Sequence, residues 1–311
     1  MPAPYPIILH HFEKSPFSEK IRVAFGIKQI AWTSVLISRI MPRPDLMPLT
    51  GGYRRTPTLQ IGADIYCDTQ VILRELERRF PQPTLYPAGN AGIAWGLGMW
   101  TDRSFFQNTV NLVFGSLADQ VPKEFREDRE QLRGQKFDVD AMKAAIPQMR
   151  DQLRAHLDWI DTQLHDGRTF FGGPLPGLGD IHTYMNVWYV RSNLPDAEGL
   201  FAGFPKILAW EQRVKALGHG KRERELTPAD ALEIARNATP QTQTASDAGD
   251  LNGRKPGDRV TVTPDDYGKI PVEGTIVSLS AQHIAIRRQD ERAGEIVVHF
   301  PRAGFLVAPS T

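Results

Sequence analysis

The chain opens on an apolar run, Pro6 to Phe12, and then changes period. Over Phe17 to Lys28 the positions Ile21, Ala24, Phe25 and Lys28 fall near helical spacing, so a strand followed by a helix is expected. Trp32 to Ile37 reads as a second strand. Thr58 to Ile61 and Ile65 to Cys67, parted by Gly62-Ala63-Asp64, read as a hairpin with suitable turn residues. Thr69 to Phe80 places Val71, Ile72, Leu76 and Phe80 on one helical face and stops at Pro81. This order predicts a small mixed sheet with helices packed on it.

A Pro- and Gly-rich stretch, Pro81 to Gly89, separates that unit from a long helical region. Ile93 to Leu117, Val139 to Leu164, Asp180 to Asn193 and Phe204 to Leu217 are its expected main helices. Thr227-Pro228-Ala229-Asp230 opens a last helix, with threonine as cap, proline at the first position and an acid in the first turn. Asn237 to Asn252 has no periodicity and reads as a flexible linker. Beyond it the period is two: Arg259 to Thr263, Val272 to Leu279, His283 to Arg287, Glu295 to Phe300 and Phe305 to Ala308 predict a small SH3-like or OB-like barrel. The expected division is an α/β domain over 1–82, an all-α domain over 90–236, a linker over 237–252 and an all-β domain over 253–311.

Composition narrows the class without choosing a function. A chain of 311 residues calls for two or three domains. Lys and Arg number 37 against 36 Asp and Glu, a balance that argues against nucleic acid or an anionic membrane as an obligatory partner. No apolar stretch is long enough to span a bilayer, and without a basic region followed by an apolar core near its start the sequence is not expected to carry a secretory signal. The lone Cys67 has no internal disulfide partner and fits a reducing compartment, so a soluble cytoplasmic protein is expected. The eight histidines show no metal-ligand spacing, and no metal is expected.

Two stretches carry candidate chemistry. In Lys14-Ser15-Pro16-Phe17-Ser18-Glu19-Lys20-Ile21-Arg22, Pro16 suits the first helical position, which makes Ser15 the cap. Its hydroxyl then stands beside free backbone N–H groups that favour an anion or thiolate. In Arg54-Arg55-Thr56-Pro57-Thr58-Leu59 a proline precedes a short strand, where a cis bond can turn the backbone outward. A hydroxyl at a helix start facing a proline-held backbone edge is the layout of a thioredoxin-like thiol site, here with serine in the cysteine position. Asp68-Thr69 opens the next helix, with Thr69 as its expected cap.

In this order the features resemble the cytosolic glutathione transferases, over roughly residues 6 to 235. Ser15-Pro16-Phe17-Ser18 with Lys20-Ile21-Arg22 is similar to the Ser/Cys-Pro-Phe/Tyr turn of bacterial and omega-, theta- or zeta-like members. Thr56-Pro57 resembles their cis-proline corner, Asp68-Thr69 their γ-glutamyl-binding pair, and Gly177-Leu178-Gly179-Asp180-Ile181 their buried helix-capping box. The resemblance implies a thioredoxin-like domain followed by a helical one, glutathione as co-substrate, a homodimer, and a small electrophile as second substrate. It implies that Ser15 stabilises the thiolate, Thr56 and Pro57 hold the cysteinyl backbone, and Asp68 and Thr69 hold the γ-glutamyl end. Lowering the thiol pKa by one to two units takes about 1.4 to 2.7 kcal/mol, within reach of a hydrogen bond plus a helix end. Conjugation, dehalogenation and isomerisation all fit.

Several residues depart from the family pattern. Asp68 is a methylene shorter than the usual Glu or Gln, Thr69 replaces Ser, and Gly177 replaces a capping Ser or Thr. His10 and His11 end the first strand where several classes carry an activating tyrosine. Trp100, Phe105, Phe106 and Phe114 are candidate walls for the electrophile, and Asp102 is a candidate to reach a bound peptide's amine across a dimer. Without a second cysteine near Ser15, thiol reductase chemistry is disfavoured. The alternative function is a transferase-fold binding or scaffold protein that meets a protein partner through its C-terminal barrel.

Overall fold

The computed structural model describes residues 5–310. Its N-terminal unit is β1 (Ile7–His11), α1 (Pro16–Lys28), β2 (Ala31–Leu36), the single turn α2 (Met47–Thr50), β3 (Thr58–Ile61), β4 (Asp64–Cys67) and α3 (Thr69–Arg79). β1 pairs parallel with β2 and antiparallel with β3, and β3 and β4 form the expected hairpin. The arrangement is thioredoxin-like. α1 starts with Ser15 as cap and Pro16 just inside, and it ends at Gln29, which adopts the left-handed conformation (φ 51°).

The helical unit follows as α4 (Ala91–Trp100), α5 (Phe106–Ser116), α6 (Lys123–Arg133), α7 (Val139–Ala144), α8 (Ile146–Gln163), α9 (Leu178–Asn193), α10 (Ala197–Phe201) and α11 (Pro205–Ala216). Where one helix was expected over Ile93 to Leu117, a π-helical turn, Thr101–Phe105, joins α4 to α5. The extra residue alters the helical phase there, and buried Asn186 donates to the Thr101 carbonyl at 2.9 Å. The helix expected over Val139 to Leu164 is divided at Ala145, next to Pro147. A strand that periodicity did not foretell, β5 (Lys221–Leu226), pairs parallel with β2, and α12 (Pro228–Arg236) follows with the expected Thr227–Asp230 capping box.

Gly177 is explained by packing. A Cβ there would lie 2.8 Å from Pro87 and 2.9 Å from the Leu85 carbonyl, which accepts from Leu178 N–H. The cap is supplied instead by buried Asp180, whose carboxylate accepts from Gly177 N–H at 3.0 Å, Phe171 N–H at 2.9 Å and the Trp210 indole at 2.7 Å. Asp180 therefore serves the structure.

All five expected C-terminal strands are present: β6 (Arg259–Pro264), β7 (Val272–Leu279), β8 (His283–Asp290), β9 (Gly294–Pro301) and β10 (Phe305–Pro309). They make a small antiparallel β domain whose apolar core is shared with Leu49, Tyr53, Ile65 and Cys67 of the N-terminal unit and with Leu232 and Ala235 of α12. It does not stand apart. β9 pairs parallel with β4, giving one ten-stranded sheet in the order β10-β6-β7-β8-β9-β4-β3-β1-β2-β5. Nor does the connecting segment swing free, as a flexible linker would. Buried Asp64 accepts from Gln241 N–H at 2.6 Å and from the Thr242 hydroxyl, and Ala245 bridges to the β7 backbone. His299 of β9 reaches the same carboxylate at 3.1 Å and stacks on Tyr66 of β4, so the seam is held by backbone pairing, side-chain hydrogen bonds and a ring contact together.

Candidate functional site

The candidate site residues read from the sequence come together where β1, the Thr56–Pro57 corner and the starts of α1 and α3 meet. Ser15 Oγ accepts from Ser18 N–H at 3.1 Å. Its own proton has no acceptor among the described residues, so the hydroxyl is free to donate. The Thr56–Pro57 peptide is cis, and the Thr56 N–H and C=O make no backbone hydrogen bond among the described residues. They form an open strand edge. The corner is braced from behind by buried Arg43, which donates to the Arg54 carbonyl at 2.8 Å and the Thr56 hydroxyl at 3.2 Å.

At the other end the cap of α3 is Asp68 and not Thr69, which takes the first helical position. Asp68 accepts from Gln70 N–H at 2.9 Å and holds a positive φ of 91°, a conformation that a non-glycine side chain adopts at some cost. Loss of hydration pushes its carboxyl up to about 6, against the pull of the Gln70 N–H and of Arg55. Asp102, on the π turn, is held within this chain. Both its oxygens accept from fully buried Lys20, one at 2.7 Å.

These groups line two connected spaces. A groove of about 50 Å³ runs past Thr56, Pro57, Asp68, Thr69 and Asp102. A cavity of about 350 Å³ opens beside Ser15, with Phe17, Arg55, Thr56 and Tyr267 shared between the two. Phe106 and Phe114 line the cavity, as expected of electrophile walls. Trp100 and Phe105 do not; they stack on one another at 5.2 Å, and Phe105 lies in the core. His10 and His11 also point away. His10 bonds Gln60 at 2.8 Å, and His11 lies between Ser34 at 3.0 Å and Arg22 at 3.1 Å. Burial lowers His10 to about 4 and, aided by Arg22, His11 to about 3, so both are neutral structural groups. Burial raises the Cys67 thiol well above its usual range, which makes it a poor nucleophile.

Sequence reading missed two features of the site. One is an arginine cluster in the large cavity, of which Arg54 and Arg55 stand in the Thr56–Pro57 stretch itself. The other is a roof. The β6–β7 loop crosses the groove, with Asp265 on Arg103 at 2.8 Å, Asp266 and the Tyr267 carbonyl on Arg55, and Gly268 N–H on the Leu132 carbonyl at 2.7 Å. Arg55 also lies 4.0 Å from the centre of the Tyr267 ring. The C-terminal domain thus forms part of the site's wall. Its alternating pattern identified the strands, but nothing in that pattern says where a loop lands.

Comparison with known proteins agrees with this architecture. Residues 9–84 match the glutathione S-transferase N-terminal domain, and residues 143–213 match the C-terminal domain of the same family. The chain belongs to the glutathione S-transferase family. A solved GST-like protein from Pseudomonas syringae is 36% identical, with a TM-score of 0.81 over 98% of this chain and 100% of that one. The likeness therefore extends through the added β domain. FtsZ-localized protein A of Caulobacter vibrioides is 28% identical over 179 residues, 56% of this chain and 72% of that protein. A glutathione S-transferase from Rhodospirillum rubrum shares the fold at 22% identity, with a TM-score of 0.54 over 68% of this chain and 88% of that one. Among the described residues no helix is long and apolar enough to cross a membrane.

Proposed function

We propose that this protein binds glutathione along the groove and delivers its thiolate to a small electrophile in the cavity beside Ser15. The observation that carries the reading is the unpaired backbone edge of Thr56, lying between a free serine hydroxyl and the Asp68–Thr69 helix start. Ser15 donates its proton to the sulfur, and the N-terminus of α1 adds favourable partial charge. The Thr56 N–H and C=O pair with the cysteinyl backbone as an added strand would, while Pro57 shapes that edge. Asp68 pairs with the γ-glutamyl ammonium. The Thr69 hydroxyl and the first N–H groups of α3 bind the neighbouring carboxylate. The product is a thioether, a dehalogenated carbon or an isomer, depending on the electrophile. The protein would act as a cytoplasmic homodimer.

Calorimetry with glutathione tests this reading. The full chain should bind it, and Thr69→Ala should weaken binding at least about tenfold, the equivalent of one hydrogen bond to a charged group at about 1.5 kcal/mol. Unaltered affinity in Thr69→Ala would remove the γ-glutamyl assignment.

A second reading is a binding protein without turnover. The roof favours it, because a groove of about 50 Å³ holds a water or two and no peptide until the β6–β7 loop moves. The Caulobacter relative, named for a location rather than a reaction, points the same way. No glutathione binding at millimolar concentration, with recovery of a protein partner through residues 253–311, would select this reading.

A further inference from the structure

The cavity beside Ser15 has an unusual lining. Its volume, about 350 Å³, is at the low end of the ~300–1,000 Å³ usual for small-molecule sites. One side is apolar, with Val110, Val113, Phe114 and Leu117 from α5 and its end. The other side carries Arg39, Arg43, Arg54, Arg55, Arg129 and Arg133, with no acidic residue among the lining residues.

Two carboxylates stand behind this cluster. Asp128 pairs with Arg54 and lies 3.7 Å from Arg129, and Asp266 pairs with Arg55. Arg43 is satisfied only by carbonyls and one hydroxyl, and its Nε has no partner. Arg133 rests over the Phe137 ring at 5.3 Å and faces two tyrosines, with no carboxylate partner among the described residues. Arg129 and Arg133 are four residues apart on α6, so they present one face to the cavity. Burial and mutual repulsion lower Arg43 to about 10, with Arg129 its strongest repelling neighbour, and burial also lowers Arg129 and Arg133. Arginines crowded in this way are stabilised by an anion from outside.

Glutathione does not account for the whole cluster. A peptide lying along Thr56 with its amine at Asp68 sends its single far carboxylate toward Arg54 and Arg43, beside the corner. Arg129 and Arg133 belong to the helical unit.

We propose that this cavity takes an amphipathic organic anion, an apolar or aromatic body bearing a carboxylate or a group of like charge, whose head is held by Arg129 and Arg133. The inference rests on the transferase reading only in treating this anion as the second substrate. The binding site itself does not need that reading.

Titration calorimetry of the full-length protein without glutathione, using 4-phenylbutyrate and its neutral amide as probes, tests the proposal. The acid should bind about tenfold more tightly than the amide. In Arg133→Gln, a variant that breaks no ion pair, the ratio should fall to within about twofold, while Arg133→Lys keeps most of it. Equal binding of acid and amide, a ratio unchanged in Arg133→Gln, or no binding of the acid at millimolar concentration would each overturn the proposal. Adding glutathione to the same samples separates the two ideas. Acid preference without glutathione binding keeps the anion site and removes the transferase; glutathione binding without acid preference does the reverse.

Discussion

The groove at Asp68 and the cavity beside Ser15 share the Thr56 corner but treat charge in opposite ways. In the groove, charges are matched within the chain: Lys20 with Asp102, Arg55 with Asp266, and Arg103 with Asp265. Asp68 alone has no ion-pair partner among the described residues, and loss of hydration raises its carboxyl against the pull of Arg55. In the cavity, cations outnumber the carboxylates behind them, and Arg43 and Arg133 have none. Apart from Asp68 the groove's charges are paired, whereas the cavity is short of negative charge. A peptide with an ammonium at one end and a carboxylate at the other fits that gradient, and Ser15 stands at the junction.

The largest expected effect falls at the junction. Ser15→Ala should lower turnover at least tenfold while glutathione affinity changes little, because the hydroxyl acts on the charge of the sulfur and not on the peptide's ends. Steady-state rates beside calorimetry check this, and unchanged turnover would take Ser15 out of the mechanism. Next comes pH. Asp68 has its midpoint near 6 in the free protein and must be ionised to pair with an ammonium. Its contribution is therefore present above that midpoint and lost as pH falls through it. Glutathione affinity should drop about tenfold from pH 7 to pH 5, and Asp68→Asn should abolish the dependence. A flat profile in the parent chain would detach Asp68 from the amine.

Most of the local structure was legible because side-chain period encodes which face is buried. β1, β3, β4, α1 and α3 follow from it, as do all five C-terminal strands. Edges were not legible. β4 joins β9 through backbone groups, and no side-chain pattern marks a strand's hydrogen-bonding rim. β5, Lys-Arg-Glu-Arg-Glu-Leu, has almost no apolar alternation and forms because β2 offers an open edge. In the site, Ser15 was visible as a helix cap, Thr56 as part of a proline corner and Asp68-Thr69 as a helix start, features of local chemistry, though the cap itself is Asp68 where Thr69 was expected. The arginine cluster draws on β2's exit, the corner and α6, and the roof comes from more than two hundred residues downstream of Arg55. Such groups converge only through tertiary packing.

The smallest expected effect concerns the roof itself. Asp266 and the Tyr267 carbonyl hold Arg55, and that tie keeps the β6–β7 loop over the groove. Asp266 is partly exposed, so the pair contributes about 0.5 to 1 kcal/mol. Opening the groove for a peptide has to break that pairing before any new contact forms. Asp266→Ala should therefore raise glutathione affinity about threefold and quicken association, with no change in the pH dependence set by Asp68. Stopped-flow mixing with glutathione measures both. Weaker binding in Asp266→Ala would mean that the loop grips the peptide instead of guarding the way in, and the groove would then resemble the cavity in needing its ligand to complete it.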